Sequence, residues 1–316
     1  MRLSIIIVNW NQREMLGDCL SSFVPNLDPM LYEVIVVDNG SVDQSMEMVS
    51  KDFPSVRLIG NSDNRGFAAA NNQGLEIARG RYYLLLNNDT LIHGNVIESS
   101  LDYLDDRKDI GVLGCRVLNA DGSLQVTCGQ YPSITNLLLL TSGLWKLKWP
   151  RFLGRYQMSH WKRDDERDVD TVSGCYMVVR ASAMKLVGSL DERFFFFGEE
   201  TDWCKRFRDA NWRVSFAPVG EITHFGSVSA RRHNHKRDIM LSKAMVLLHR
   251  KHSGLSASAV VWGLLLFFNV SRAVFWAVMS LISKKVEVQE RYTHFKGVVR
   301  DFMMVWPSSE KKVEEL

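Results

Sequence analysis

Four short apolar runs, at residues 3–8, 34–37, 56–59 and 82–86, alternate with polar, helix-favouring stretches through the first 90 residues. This alternation leaves a chain few options. Buried runs rich in β-branched and aliphatic residues read as strands covered on both faces. The stretches between them, about 13–23, 43–51 (with Asp43 as its cap) and 67–79, read as crossover helices. Strands and helices in that rhythm imply consecutive βαβ units and a mainly parallel, Rossmann-like sheet. Ligands of open sheets bind beyond the carboxyl ends of the strands. At those ends stand Asn9, the cluster Asp38-Asn39-Gly40-Ser41, and Asn87-Asn88-Asp89. These polar ends are the first candidates for a site.

Composition narrows the class. With 46% hydrophobic and 24% charged residues and only seven prolines among 316, the chain is globular rather than disordered, collagen-like or polytopic. Its length allows one large α/β domain with an appendage, or two ordinary domains. The five cysteines are odd in number, widely spaced and contain no CxxC pair, which favours a reducing cytosol over a disulfide framework or a zinc site. The apolar run at 3–8 is too short for a signal-peptide core and reads as a strand. A net charge of +3 argues against a dedicated nucleic-acid binder, yet the charge is uneven. Residues 231–252 carry seven Lys and Arg against Asp238 alone, so the remainder sums to −3.

Beyond residue 110 the alternation fades. Further strands are expected at 112–117, 177–180 and 213–217, and 131–167 reads as a long loop. Two constellations there bear on chemistry. The acids Glu199 and Glu200 directly follow Phe194-Phe195-Phe196-Phe197-Gly198 and open a helix at about 200–209. Desolvation by the aromatics would raise a carboxyl pKa, as a general base for a sugar hydroxyl requires. Asp89, at a strand end, offers a hard oxygen ligand for Mg2+ or Mn2+. His224 stands alone in the sequence and gains meaning only from its company.

Taken in order, the motifs resemble the inverting GT-A-type glycosyltransferases of family two, in particular their bacterial rhamnosyltransferase-like branch. The resemblance runs through Ser4-Ile5-Ile6-Ile7-Val8-Asn9-Trp10-Asn11, Val36-Val37-Asp38-Asn39-Gly40-Ser41 and Asn64-Arg65-Gly66-Phe67 with Asn71-Asn72. It continues through Leu84-Leu85-Leu86-Asn87-Asn88-Asp89-Thr90, Ser173-Gly174-Cys175, Gly198-Glu199-Glu200-Thr201-Asp202 and His224-Phe225-Gly226. It implies an α/β nucleotide-diphospho-sugar transferase fold with a C-terminal helical extension, and a divalent-metal-assisted sugar transfer. Asp38 matches the acid that recognises the nucleotide base, beside backbone contacts near Asn9 and Trp10. Gly66, Asn71 and Asn88 fall in donor-binding segments, and Gly174 in a segment lining the sugar pocket. Asp89 matches the last acid of the metal motif, and His224 a histidine that helps hold metal or diphosphate. Glu200 falls at the catalytic base. The motif here reads Asn-Asn-Asp with one carboxylate instead of two, and the acid pair is Glu-Glu, which leaves the base open between Glu199 and Glu200.

The resemblance also implies a dTDP- or UDP-linked donor, rhamnose among its sugars, and an acceptor glycan growing on a polyprenyl-diphosphate carrier. The tail fits such a lipid-linked acceptor. Residues 259–282 hold 13 Leu, Ile, Val and Phe, worth roughly 4–8 kcal/mol toward insertion against roughly 3 kcal/mol for Arg272. Ser258, Trp262, Asn269, Arg272, Trp276, Ser280 and Ser283 recur at helical spacing, and this stripe is expected at headgroup depth on a helix lying in the membrane plane. The basic run ahead of it would face anionic lipid. The organisation expected is a catalytic domain at 1–230 and a membrane-associating region at 231–316, peripheral or monotopic on the cytosolic face of a bacterial inner membrane. The alternative is a buried core helix packed against the catalytic domain or a twin subunit. Two competing readings are a noncatalytic nucleotide- or glycan-binding module and a basic nucleic-acid binder. Asp89, Glu200 and His224 weigh against the first, and the apolar segment beside the basic run weighs against the second.

Overall fold

The computed structural model describes residues 1–147, 150–226 and 234–306. In chain order the elements are β1 (Leu3–Asn9), α1 (Arg13–Phe23), β2 (Tyr32–Asp38), α2 (Ser45–Asp52), β3 (Arg57–Gly60), α3 (Phe67–Ile77), β4 (Tyr82–Asn87) and β5 (Thr90–Ile92). There follow α4 (Val96–Asp106), β6 (Ile110–Leu118), β7 (Cys128–Gly129), α5 (Ile134–Ser142), β8 (Arg167–Asp168), β9 (Thr171–Val172) and β10 (Tyr176–Arg180). The last are α6 (Ala181–Val187), α7 (Glu199–Asp209), β11 (Arg213–His224), α8 (His235–Ile282) and α9 (Val286–Asp301). Two compact units divide these elements. The first comprises Met1–Gln130, Trp161–Phe195 and Glu199–Gly226; the second comprises Tyr131–His160, Phe196–Gly198 and Ser227–Leu316. Trp149, Arg231, Arg232, His233 and the expected boundary at 230/231 lie outside the described residues.

The first unit is built on one sheet of order β3-β2-β1-β4-β10-β6-β11-β5. The four leading strands are parallel, as the alternation requires. β1 and β2 are buried along almost their whole length, with Ile5, Ile7, Val34 and Val36 in the core beneath α1 and α4. The second half of the sheet is mixed. β10 enters antiparallel between β4 and β6, while β6 and β11 pair in parallel. β11 runs on to His224 instead of ending near residue 217. Pro218 and Gly220 sit at a register break between Phe216 and Glu221, and the strand resumes beyond it, where Ile222–His224 pairs with β5. A bulge at Pro and Gly re-aims a strand without ending it.

The second unit corrects two expectations. Part of the stretch read as a loop is α5, capped by Ser133 Oγ accepting from the Asn136 N–H and closed by Gly143 at φ 78°. In α8 the helix breaks at Gly254 (φ 84°, ψ −177°), and the apolar segment follows the break. Its polar stripe faces inward. Ser258 and Asn269 are buried, Trp262 packs on Phe302 and Trp306, and the Arg272 guanidinium donates to Thr141 O at 3.0 Å. That bond caps one of the free carbonyls at the end of α5. What α8 turns outward is Val260, Phe267, Val274, Phe275, Val278, Leu281 and Ile282.

Candidate active site

The polar strand ends meet as the parallel register demands, since Asn9 lies opposite Asp38 on β2 and Val8 opposite Asn87 on β4. Asn9 Nδ2 donates to Asp38 Oδ2 at 2.9 Å and to Ser41 Oγ at 3.2 Å, while Asn88 Nδ2 donates to Asn9 Oδ1 at 2.7 Å. The Ser41 N–H donates to Asp38 Oδ1 at 2.8 Å. Asn9, Asp38 and Asn88 are all buried, so this network is a rigid floor. Trp10 instead exposes about half its surface (51%) at the same strand end. Its neighbour Asn11 is held at φ 52° and bonds Ser41 Oγ and the Val42 N–H.

Asp89 and His224 meet on the next strands. β5 and the end of β11 pair antiparallel, with Thr90 opposite His224, and the Phe225 N–H donates to Asp89 O at 3.0 Å. This places His224 Nε2 3.1 Å from Asp89 Oδ1 and 3.1 Å from Asn87 Nδ2. The other ring nitrogen, Nδ1, faces Gln125 Oε1 at 2.6 Å. With the Nδ1 proton given to Gln125, the Nε2 lone pair and a carboxylate oxygen face each other. Asn87 Nδ2 is in reach to donate to that lone pair, and the nitrogen and the carboxylate oxygen together offer a cation two adjacent ligand atoms. Among the described residues no group of three or more His, Cys, Asp and Glu side chains forms a metal cage. Two protein ligands nevertheless suit Mg2+ or Mn2+, ions that keep waters and complete their shell with substrate phosphates. The residues therefore fit a divalent ion whose remaining ligands come with a diphosphate.

Glu200 stands beside the start of β10. α7 opens with Glu199, Glu200 and Asp202 in its first turn, where the helix dipole favours acids. Their fates differ. Asp202 is buried in an ion pair with Arg206 at 2.9 Å, and Glu199 is almost wholly buried. Glu200 is partly buried, and its Oε1 accepts from the Gly174 N–H at 3.2 Å. Burial raises its pKa above the usual carboxylate range, with its own N–H and that of Gly174 pulling the other way. A Cβ on Gly174 would lie 3.1 Å from Phe67 and 3.2 Å from Glu200 Oε1, so a glycine keeps this approach open. Cys175 follows Gly174, and its carbonyl accepts from the Asn87 N–H at 3.2 Å. Burial pushes the Cys175 thiol up to about 12, and both carboxylates add to the rise. Both acids thus lie close enough to Cys175 to act on its thiol.

Two anticipated residues serve the frame. Asn71 is buried and returns its Nδ2 to Phe67 O at 2.9 Å. Gly66 caps α3 at φ 83°, receives Asn39 Nδ2 on its carbonyl at 3.3 Å, and leaves no room for a side chain, since a Cβ would lie 2.6 Å from Phe195 O. Gly66→Ala combines a left-handed penalty with a backbone clash, so denaturant unfolding is expected to show a loss of about 1–3 kcal/mol. An unchanged midpoint would contradict this reading. Gln125 was not anticipated as a site residue, whereas Asn87 and Ser41 belong to the polar strand ends read as candidates. The clue to Gln125 lay in Asp121-Gly122, a turn that sends the chain back along β6.

Comparison with known proteins bears on the family and the fold. The family model described as glycosyl transferase family 2 matches residues 4–184. N-acetylglucosaminyl-diphospho-decaprenol L-rhamnosyltransferase of Mycobacterium tuberculosis is 27% identical over 248 residues, covering 73% of this chain and 79% of that protein. Low-salt glycan biosynthesis hexosyltransferase Agl10 of Haloferax volcanii is 24% identical over 316 residues, covering 99% and 86%. Among solved structures, mannosyltransferase PcManGT from Pyrobaculum calidifontis, in complex with GDP-Man and Mn2+, has a TM-score of 0.56 at 13% identity, covering 96% of this chain and 87% of its own. S. aureus TarS 1–349 in complex with UDP-GlcNAc has a TM-score of 0.53 at 15% identity, covering 97% and 82%.

Proposed function

The chain belongs to glycosyl transferase family 2, has the GT-A fold and is a glycosyltransferase of the rhamnosyltransferase-like branch, and we propose that it transfers a sugar with inversion from a nucleoside diphosphate to an acceptor hydroxyl. The carrying observation is that a raised-pKa carboxyl, Glu200, accepts from the Gly174 N–H at the start of β10, while the neighbouring Cys175 carbonyl bonds Asn87 at the strand end that carries the Asp89–His224 pair. In this reading the base and ribose lie over the floor of Asn9, Asp38 and Asn88, beside Trp10. Asp89 and His224 would hold a divalent ion, whose charge would stabilise the departing diphosphate. Glu200 takes the acceptor's hydroxyl proton as that oxygen bonds to the anomeric carbon. The bond from that carbon to the diphosphate oxygen breaks, and the electron pair leaves with the nucleotide. No enzyme nucleophile is required.

The relative from M. tuberculosis is named for an acceptor on decaprenyl diphosphate and for L-rhamnose. We extend both to this chain as its preferred substrates, a dTDP-linked rhamnose donor and a polyprenyl-linked glycan. A panel of dTDP- and UDP-linked sugars with Mn2+, read by thermal stabilisation and by transfer or donor hydrolysis, tests the reading. One stabilising donor that also turns over supports it. Binding without any turnover would reduce the protein to a carrier of nucleotide sugars.

The outward face of α8 supports residence on a membrane. It is long and apolar enough to cross a bilayer by length and composition, and little of it is buried. With its polar stripe turned inward, the exposed apolar face suits the in-plane arrangement, and Arg250, Lys284 and Lys285 flank it for anionic headgroups. This reading places the enzyme on the cytosolic face of a bacterial inner membrane. Phe267→Asp and Leu281→Asp each forfeit about 1.5–3 kcal/mol of apolar burial, so each is expected to weaken binding to anionic vesicles roughly tenfold or more. A chain that stays soluble after detergent-free fractionation would refute membrane residence.

A further inference from the structure

We propose that Gln125 is a positioning residue that sets the tautomer of His224 and so prepares Nε2 to take a divalent ion; the inference rests on the metal reading above. The distance of 2.6 Å from Gln125 Oε1 to His224 Nδ1 is the start of the argument, not its whole. An amide can present either end, and the surroundings decide which. Gln125 Nε2 donates to Asn119 Oδ1 at 2.8 Å and to His224 O at 3.4 Å, and both of those are acceptors. The amide oxygen must therefore point at the ring, and His224 Nδ1 must carry the proton that it receives. Nε2 is left as the lone-pair nitrogen on the side of Asp89 and Asn87.

The chain around Gln125 is shaped for this contact. After β6 the backbone turns at Asn119–Ser123, with Gly122 at φ 77° and the Ser123 N–H and Oγ both donating to Asp121 Oδ1. Asn119 is itself oriented, since its Nδ2 donates to Ser123 Oγ at 2.9 Å. The return strand is pinned by the Gln125 N–H to Val117 O at 2.9 Å. Ser123, Asn119, Gln125 and His224 thus form a directed line of donors and acceptors ending at Nε2. Partners of this kind fix ring orientation and tautomer in metal-binding histidines, and losing one commonly costs 10–100-fold in metal affinity.

The test uses the full chain with Gln125→Met, which removes the acceptor at similar size, and Gln125→Glu, which keeps an acceptor oxygen. The first readout needs no metal. In the 15N-histidine spectrum, with His224 assigned by its loss in His224→Ala, wild type and Gln125→Glu are expected to show the Nδ1–H form and Gln125→Met a shift toward Nε2–H. The second is Mn2+ binding followed by electron paramagnetic resonance in the presence of dTDP, with UDP as a parallel sample. It is expected to weaken about 10–100-fold in Gln125→Met and to recover in Gln125→Glu. An unchanged tautomer in Gln125→Met, or Mn2+ affinity within about twofold of wild type, overturns the proposal. Wild-type protein that takes up no Mn2+ with either dTDP or UDP while holding the Nδ1–H form refutes the metal reading and with it Gln125's role toward an ion.

Discussion

Glu200→Gln is expected to lower sugar transfer by about 10²–10⁴-fold while nucleotide binding survives. The amide carbonyl can still accept the Gly174 N–H that now reaches Glu200 Oε1, so local geometry is kept and only the proton acceptor is lost. The pH profile supplies an independent sign. Burial raises the Glu200 pKa, so the carboxyl holds its proton to higher pH than an ordinary glutamate near 4.3. The wild-type rate should therefore fall on acidification through a pH above the usual carboxylate range, and that limb should vanish from the residual activity of the variant. Stability moves the other way. A raised carboxyl pKa means that ionisation costs folding free energy as pH rises through it, so the neutral Gln variant should melt no lower than wild type at neutral pH. Glu199→Gln is the comparison. Glu199 is nearly inaccessible, so its loss should cost less. If Glu199→Gln abolishes transfer and Glu200→Gln does not, the base has been assigned to the wrong acid.

Asn9, Asp38 and Asn87-Asn88-Asp89 were legible because their signal is local. Each apolar run ends where a polar turn begins, and parallel register alone brings neighbouring ends together. His224 was harder to place. Its position depends on β11 continuing past Pro218 and Gly220, residues that locally look like a stop. The antiparallel entry of β10 between β4 and β6 is a choice of partner across the sheet, and no local pattern encodes it. α5 was missed for another reason. Ser133 and Gly143 bracket it as ordinary caps, but its nine residues fell inside a stretch whose Trp and Arg content obscured the periodicity.

The stripe on α8 carries a more general point. Helical spacing established that Ser258, Asn269, Arg272 and Trp276 share one face, and that was correct. It could not say which face meets the surroundings. The decision lies in other parts of the second unit, in a free carbonyl at the end of α5 for Arg272 and the aromatic side chains of Phe302 and Trp306 for Trp262. Periodicity separates two faces of a helix; only the partners orient them.

Asp89→Asn is expected to cost about 10²–10³-fold in kcat/KM and to abolish stimulation by Mn2+, because several kcal/mol of charge stabilisation depend on an ion held there. The motif makes the loss severe. Asn87 and Asn88 are already amides, so the substitution leaves Asn-Asn-Asn and no carboxylate on this strand end. The backbone contribution of residue 89 is untouched, since its carbonyl still accepts the Phe225 N–H. Folding should also tolerate the change. A carboxylate oxygen now faces His224 Nε2 at 3.1 Å, and an Asn side chain could offer that nitrogen an N–H donor instead. The variant should therefore melt no lower than wild type in the absence of metal, yet lose the added stabilisation that dTDP with Mn2+ gives the native chain. Thermal shift with and without Mn2+ separates this from simple unfolding, and transfer assays with EDTA supply the second arm. Wild-type turnover in Asp89→Asn, or native transfer undiminished by EDTA, would remove the ion from the mechanism and leave Asp89 and His224 as a hydrogen-bonded pair at the sheet edge.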